Sequence, residues 1–411
     1  MAVSTTIDDN VDAVKRFQES DVYYQRAYGL CGKLMLRGTS LEIVQCLLLM
    51  GQYLQGTQKS IEAWVVHGLA MKAAMQLGLH SSEACKGLPS LEREIRKRTW
   101  FGCVIHDRAL AMTFGRPCTI PESFVKLELP SERDFYPITG ISSSAEARNS
   151  LNVHFYVATI QAYRVLWDII EQLYGHNISC EERLGAGEMV TRLFNLEQRL
   201  SSWEHNLHPN LRTLTYNHLT AMKEQARLNA DQKIAQTLRI VLTLRCLNLR
   251  LLLHRPILVR FLNFGSESVG DSHDIQMLRQ IGSHSLQVCM HTADEIISIV
   301  HSIVTSIDAT RTSVGSWWYT LYYSEIYFPR NDSGSHSLAF NAALVVFGCF
   351  LICHPGNKTI NSDFTSVTAK DAIDTLNKAI IATQNIDRGN HIVDRCRHYL
   401  QLLLKVAKIM G

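Results

Sequence analysis

The chain has 411 residues, 46% of them hydrophobic and 19% charged, with Lys+Arg 41 against Asp+Glu 38 and a net charge of +3. That is enough chain for a large core in one to three domains, and too balanced in charge for nucleic-acid binding driven by a strong positive field. No uninterrupted apolar run of about 18 residues occurs, which excludes a helical membrane span.

Residues 1–20 are polar and are expected to be a flexible segment. Helical periodicity starts at Asp21, with amphipathic helices expected over 21–37 and 40–55. Ser40 is placed to cap the second, whose buried side carries Leu41, Val44, Leu47, Leu48 and Gly51. A third helix, 60–78, opens at Ser60, closes at Gly78 and carries Trp64, Val65, Leu69, Met71 and Met75, the two methionines reading as core filling in preference to a cofactor box. His67 and His80 lack a third ligand at metal spacing, so core or capping roles are expected of them.

The region 88–130 organises the chain. Leu91, Ile95, Phe101, Val104, Ile105 and Met112 give its helix an apolar face. Gly115 supplies the left-handed residue that ends the helix, and Pro117 forbids another turn. Asp107 follows Trp100 by seven positions and Arg108 follows Phe101 by seven, so both charges project near large aromatics. Charges so placed need partners; Asp107 is expected to meet a cation, with Arg116 as one candidate. Arg93, Arg96, Lys97 and Arg98 read as a solvated face in preference to a nuclear import patch. Cys103 and His106, three apart, have no third group to orient them as nucleophile and base.

A proline-containing loop with a Ser-rich tip is expected over 115–147, followed by helices over 150–174 and 184–204 and a break at Pro209. Residues 230–262 form a strongly apolar helix that Pro256 is expected to kink or split, with its arginines snorkelling outward. Residues 263–274 read as a Gly/Ser/Asp linker. Helix 275–303, apolar segments 314–323 and 340–353, and helices 366–384 and 390–410 complete the chain. The pattern contains no useful strand alternation and no fixed-period repeat. The expected fold class is all-α, a large multi-helix array of roughly ten or more helices with no significant sheet. The expected organisation is a body over 21–262, the linker, and a C-terminal helical part over 275–411 packed on the same body.

The basic run, the pair Trp100-Phe101, then Asp107-Arg108, Gly115-Arg116-Pro117 and Ile120 resemble the signature of the fungal-specific transcription factor domain, the regulatory middle region of binuclear zinc cluster regulators. The string AWVVHGLAMKAAMQLGLH and the Leu-rich run ending in His254-Arg255-Pro256 resemble the same family. The likeness covers 25–130 well and reaches 353 more loosely. One departure stands out: sixteen residues, 324–339, separate the Trp317-Trp318 segment from the Asn-Ala-Ala run that follows it closely in the family. They read either as a surface loop or as a translated, unremoved intron.

The resemblance implies a non-catalytic, nuclear protein controlling RNA polymerase II transcription, often of one pathway or a secondary-metabolite gene cluster. It assigns structural roles to Trp100, Phe101, Asp107, Arg108, Gly115, Arg116 and Pro117. It implies contacts with the transcription machinery or co-regulators, a small-molecule effector and homodimerisation. Family members hold two zinc ions through six cysteines in two Cys-x-x-Cys groups. The eleven cysteines here contain no such group, so no cofactor is expected in this chain, and DNA is expected to be reached only through a missing or separate domain. The odd cysteine count and the lack of a signal peptide favour reduced thiols. Two other readings compete: a truncated or inactive relative, and an all-α enzyme acting on an apolar substrate, which would need the aspartate-rich metal motif that is not found.

Overall fold

The computed structural model describes residues 13–35, 39–57, 59–131, 143–175, 184–224, 229–263, 272–305, 338–354, 368–386 and 391–410. Among these the fold is all-α, with no strand. Its helices are α1 (Ala13–Met35), α2 (Leu41–Gly56), α3 (Ser60–Gln76), α4 (Ser90–Phe114), α5 (Ser143–Tyr174) and α6 (Ala186–His205). They continue as α7 (Tyr216–Glu224), α8 (Ala230–Asn263), α9 (Ser272–Thr305), α10 (Leu338–Cys353), α11 (Ala369–Ile386) and α12 (His391–Met410).

Local chemistry explains several boundaries. The Ser40 side chain accepts from the Ile43 amide at 3.4 Å and opens α2. At the end of α3, Gly78 has φ +66°, and the Leu79 amide reaches back to the Ala74 carbonyl. Gly115 closes α4 at φ 58°, ψ 39°, which carries the Arg116 amide to the Ala111 carbonyl.

Elsewhere the structure departs from the sequence reading. The first helix begins by Ala13, eight residues before the start expected from periodicity. The Ser-rich tip at 143–147 is already the start of α5. The short helix α7 was not expected at all, because nine mixed polar residues carry too little periodicity to register. The end of the expected linker, 272–274, belongs to α9. The segments 314–323 and 324–337 lie outside the described residues, while Leu338 and Ala339 open α10.

Pro256 does not split α8, which runs unbroken for 34 residues. A proline leaves the carbonyl four residues earlier without its helical donor. Here that carbonyl belongs to Leu252, and the Tyr174 hydroxyl donates to it at 2.6 Å. Nor do the arginines of α8 simply snorkel outward. Arg245 donates to the Thr159 hydroxyl at 2.6 Å and lies 5.4 Å over the Phe155 ring. Arg250 pairs with two carboxylates, and Arg255 stacks 5.6 Å over Tyr174.

Three apolar cores organise the body. The largest runs from Ala111 to Ala407 and joins α5, α6 and α8 to α9–α12. The second surrounds Trp100 and Phe101 with Val44, Met71, Leu79, Ile120 and Ile160. The third gathers Tyr24, Met50, Tyr53, Leu54, Ala63 and Leu110 where α1–α3 cover the end of α4. Helices α8 and α9 meet closely at Gly282, where a Cβ would lie 2.5 Å from the Phe261 ring.

Candidate functional site

Among the described residues, two clusters of polar side chains stand out inside this body. The first is the end of α4 and the loop that returns along it. Trp100, Phe101, Asp107 and Arg108 are all essentially buried, at 0–1% exposure. Asp107 accepts two backbone hydrogen bonds from the returning loop, from Thr119 at 3.1 Å and Ile120 at 3.0 Å, and a third from Nε2 of His67 at 3.3 Å. Burial alone would raise its pKa; the His67 and backbone hydrogen bonds outweigh that and hold the carboxyl below its usual value. The Arg116 candidate is therefore corrected: two loop amides and the His67 imidazole meet Asp107 instead. Arg116 lies outside, exposed, with its guanidinium 5.1 Å over Trp64 and 5.5 Å over Phe114.

Arg108, fully buried, pairs with Glu122 on the same loop, and Glu122 also meets Arg164 of α5 at 3.4 Å. A third clamp, not anticipated from the sequence, is Glu94. It is 1% exposed, accepts from the Ser131 amide at 3.0 Å and from Arg98 at 2.9 Å, and lies 3.3 Å from Lys97. Arg96 donates to the Leu77 carbonyl at 2.7 Å. Three of the four residues of the basic run are thus engaged in folding contacts. The signal was present: Glu94 stands four before Arg98 and three before Lys97.

Two titratable groups of this node are displaced far from neutrality. Burial, then the nearby Asp107 charge, pushes the Cys103 thiol up to about 12. Burial, then His67, pushes His106 down to about 3. Neither group is poised as a nucleophile or a base near neutral pH. The His67 and His106 rings meet edge to face with centroids 4.9 Å apart, and Gly51 of α2 packs against the latter. Gly115 and Pro117 are exposed and shape the exit of the helix.

The second place is a cleft of about 520 Å³ between α6, α7, α8 and α9. Its floor is a half-buried polar network. Arg250 donates to Glu197 at 2.9 Å and to Glu204 at 3.1 Å. Thr213 donates to Glu204 at 2.6 Å, and the Leu214 amide donates to the Thr243 hydroxyl at 2.9 Å. His254, 2% exposed, links Glu197 at 3.3 Å to Ser285 at 3.1 Å. Burial would raise the Glu197 pKa, but His254 and Arg250 outweigh it and keep this carboxylate charged. The rim carries His284, Gln287, His291 and Glu295 from α9, and Glu295 accepts from the Tyr216 amide at the start of α7. Those four positions are spaced three and four apart, so they share one face of the helix.

Among the described residues no group of three or more His, Cys, Asp or Glu side chains is placed to hold a metal ion. No described helix is long and apolar enough to cross a membrane.

Comparison with known proteins agrees with the signature. The sequence profile of the fungal specific transcription factor domain matches residues 2–214. The chain is 29% identical over 413 residues to transcription factor FBD3 of Gibberella moniliformis, covering 100% of this chain and 50% of that protein. It is 23% identical over 318 residues to sorbicillinoid biosynthetic cluster transcription factor 2 of Penicillium rubens, covering 76% of this chain and 43% of that protein. A further relative, an ABC-transporter-regulating transcription factor of Aspergillus oryzae, is 27% identical over 196 residues, 46% of this chain and 21% of its own. The chain spans about half the length, or less, of these curated relatives. No solved structure matches it.

Proposed function

The chain belongs to the fungal specific transcription factor domain family, and from that premise we propose that it is the regulatory, non-catalytic part of a pathway-specific transcription factor. In this reading it acts in the nucleus on RNA polymerase II transcription, and DNA is reached through a separate module or partner. The family match across residues 2–214 is the observation that carries the reading. Two relatives, named as a biosynthetic cluster transcription factor and an ABC-transporter-regulating transcription factor, support the pathway-specific part of it. The buried, pKa-opposed states of Cys103 and His106 support a non-catalytic role.

The cleft above Arg250 is the proposed effector site. It is concave, sits where four helices meet, and combines apolar walls such as Leu247 and Val288 with a few fixed polar groups. A ligand bridging α7 to α9 would favour the arrangement in which it makes those contacts, and only such differential affinity shifts a regulatory equilibrium. Tethering the chain to a heterologous DNA-binding domain beside a reporter gene tests the role. A change in reporter output over the bare DNA-binding domain, sensitive to Glu295→Ala at the cleft rim, is the expected result. Unchanged output with a well-folded chain would refute it, as would nanomolar, sequence-selective DNA binding by the isolated chain in a gel-shift assay.

A further inference from the structure

Cys31 lies near the end of α1 and Cys46 in the first half of α2, fifteen residues apart. Their sulfurs are 3.4 Å apart, and both residues are half-buried free thiols. By contrast, Cys103, Cys289 and Cys349 are sealed in the cores at 0% exposure. The two helices are already held side by side. The Tyr24 and Tyr53 rings stack with centroids 4.8 Å apart, the hydroxyls of Ser20 and Tyr53 meet at 3.1 Å, and Lys59, between α2 and α3, pairs with Asp21 of α1 at 2.8 Å. A sulfur–sulfur bond, about 2.05 Å long, therefore requires closing the gap by about 1.4 Å without separating the helices.

We propose that Cys31 and Cys46 are an oxidation site, joined by hydroperoxides into a disulfide that clamps α1 onto α2. Either thiol can donate across this contact; Cys46 Sγ also lies 3.8 Å from Met50 Sδ, and the attack is assigned to Cys31. Burial, with the contact to Cys31, pushes the Cys46 thiol up to about 11, so it stays protonated. Cys31 releases its proton and its thiolate attacks the peroxide O–O bond; a sulfenic acid forms and the departing oxygen takes up a proton to leave as water or alcohol. The Cys46 sulfur then attacks the sulfenic sulfur; the S–S bond forms, the S–O bond breaks, and a water leaves with the Cys46 proton. Two thiols lose two electrons, and the peroxide takes them. The clamp lies on the layer where Tyr53 and Leu54 cover the end of α4, so oxidation would stiffen the packing around the signature helix.

The test is peptide mapping of the full chain after hydrogen peroxide treatment and rapid alkylation. Trypsin releases Cys31 in 27–33 and Cys46 in 38–59. The expected product is these two peptides linked, lighter by two hydrogens and separated again by dithiothreitol. In Cys46→Ser a dimedone adduct should accumulate on Cys31; in Cys31→Ser none should form on Cys46. Peroxide that oxidises the half-buried Cys85 or Cys118 while leaving 27–33 and 38–59 unlinked would overturn the proposal, as would predominant pairing of Cys31 with any other cysteine. The wild-type mapping decides the matter even if either variant fails to fold.

Discussion

The Tyr174 hydroxyl sits on the Leu252 carbonyl, the acceptor that Pro256 deprives of its helical donor. One phenol on α5 thus keeps α8 continuous. Tyr174→Phe removes that donor from a half-buried carbonyl and should cost about 1–2 kcal/mol in chemical denaturation. Pro256→Ala restores the missing N–H, so the same tyrosine substitution should cost clearly less in that background. Equal losses in both backgrounds would show that the two residues are not coupled.

Asp107→Ala should destabilise the fold by roughly 2–4 kcal/mol, because it strands the Thr119 and Ile120 amides and the His67 N–H together. Asp107→Asn keeps the shape and should lose less. A urea melt of Asp107→Ala that overlays the parent would contradict the clamp.

Gly51 leaves no room for growth. A Cβ there would lie 2.9 Å from Nε2 of His106, a buried ring that has little space to withdraw. Gly51→Ala should cost roughly 1–3 kcal/mol through overpacking. Adding His106→Ala should cost less in the Gly51→Ala protein than in the parent, since it opens the space the new methyl needs. Strictly additive losses in the four-member cycle would refute the contact.

The same imidazole predicts a pH dependence. Burial depresses His106 to about 3, whereas an unfolded histidine titrates near pH ~6.5. Between those values the unfolded chain holds the extra proton, so stability is full above pH ~6.5 and falls as pH drops toward 3, by up to about 1.4 kcal/mol per unit. Asp107, also depressed, adds its own loss only further into acid, as pH falls through its folded pKa. Unfolding free energies at pH 7, 6 and 5 should converge between parent and His106→Gln as the pH falls. Parallel slopes would rule His106 out as the group responsible.

Helix existence was legible wherever apolar spacing was long. The stop at Gly115 could be read because left-handed backbone selects glycine and Pro117 confirms it. The burial of Asp107 and Arg108 was readable from their seven-residue offset to Trp100 and Phe101, but their partners were not. A carboxylate's nearest cation in sequence, Arg116, was an available guess; backbone amides twelve and thirteen residues on carry no side-chain signal. Continuity through Pro256 was illegible for the same reason, since its remedy comes from a tyrosine 82 residues earlier in the chain. The cleft escaped notice because its carboxylates and Arg250 look like solvated charges until α6 and α8 are placed side by side.

The segment matched by the family profile stops at residue 214, but the largest apolar cluster continues to Ala407, and the Leu214 amide donates to Thr243. Cutting there would strip the inner faces of α5 and α6 of the helices they lean on. A laboratory fragment ending at 214 should therefore be insoluble or molten, and the unit to express, crystallise or swap between regulators must carry α8 to α12 with it.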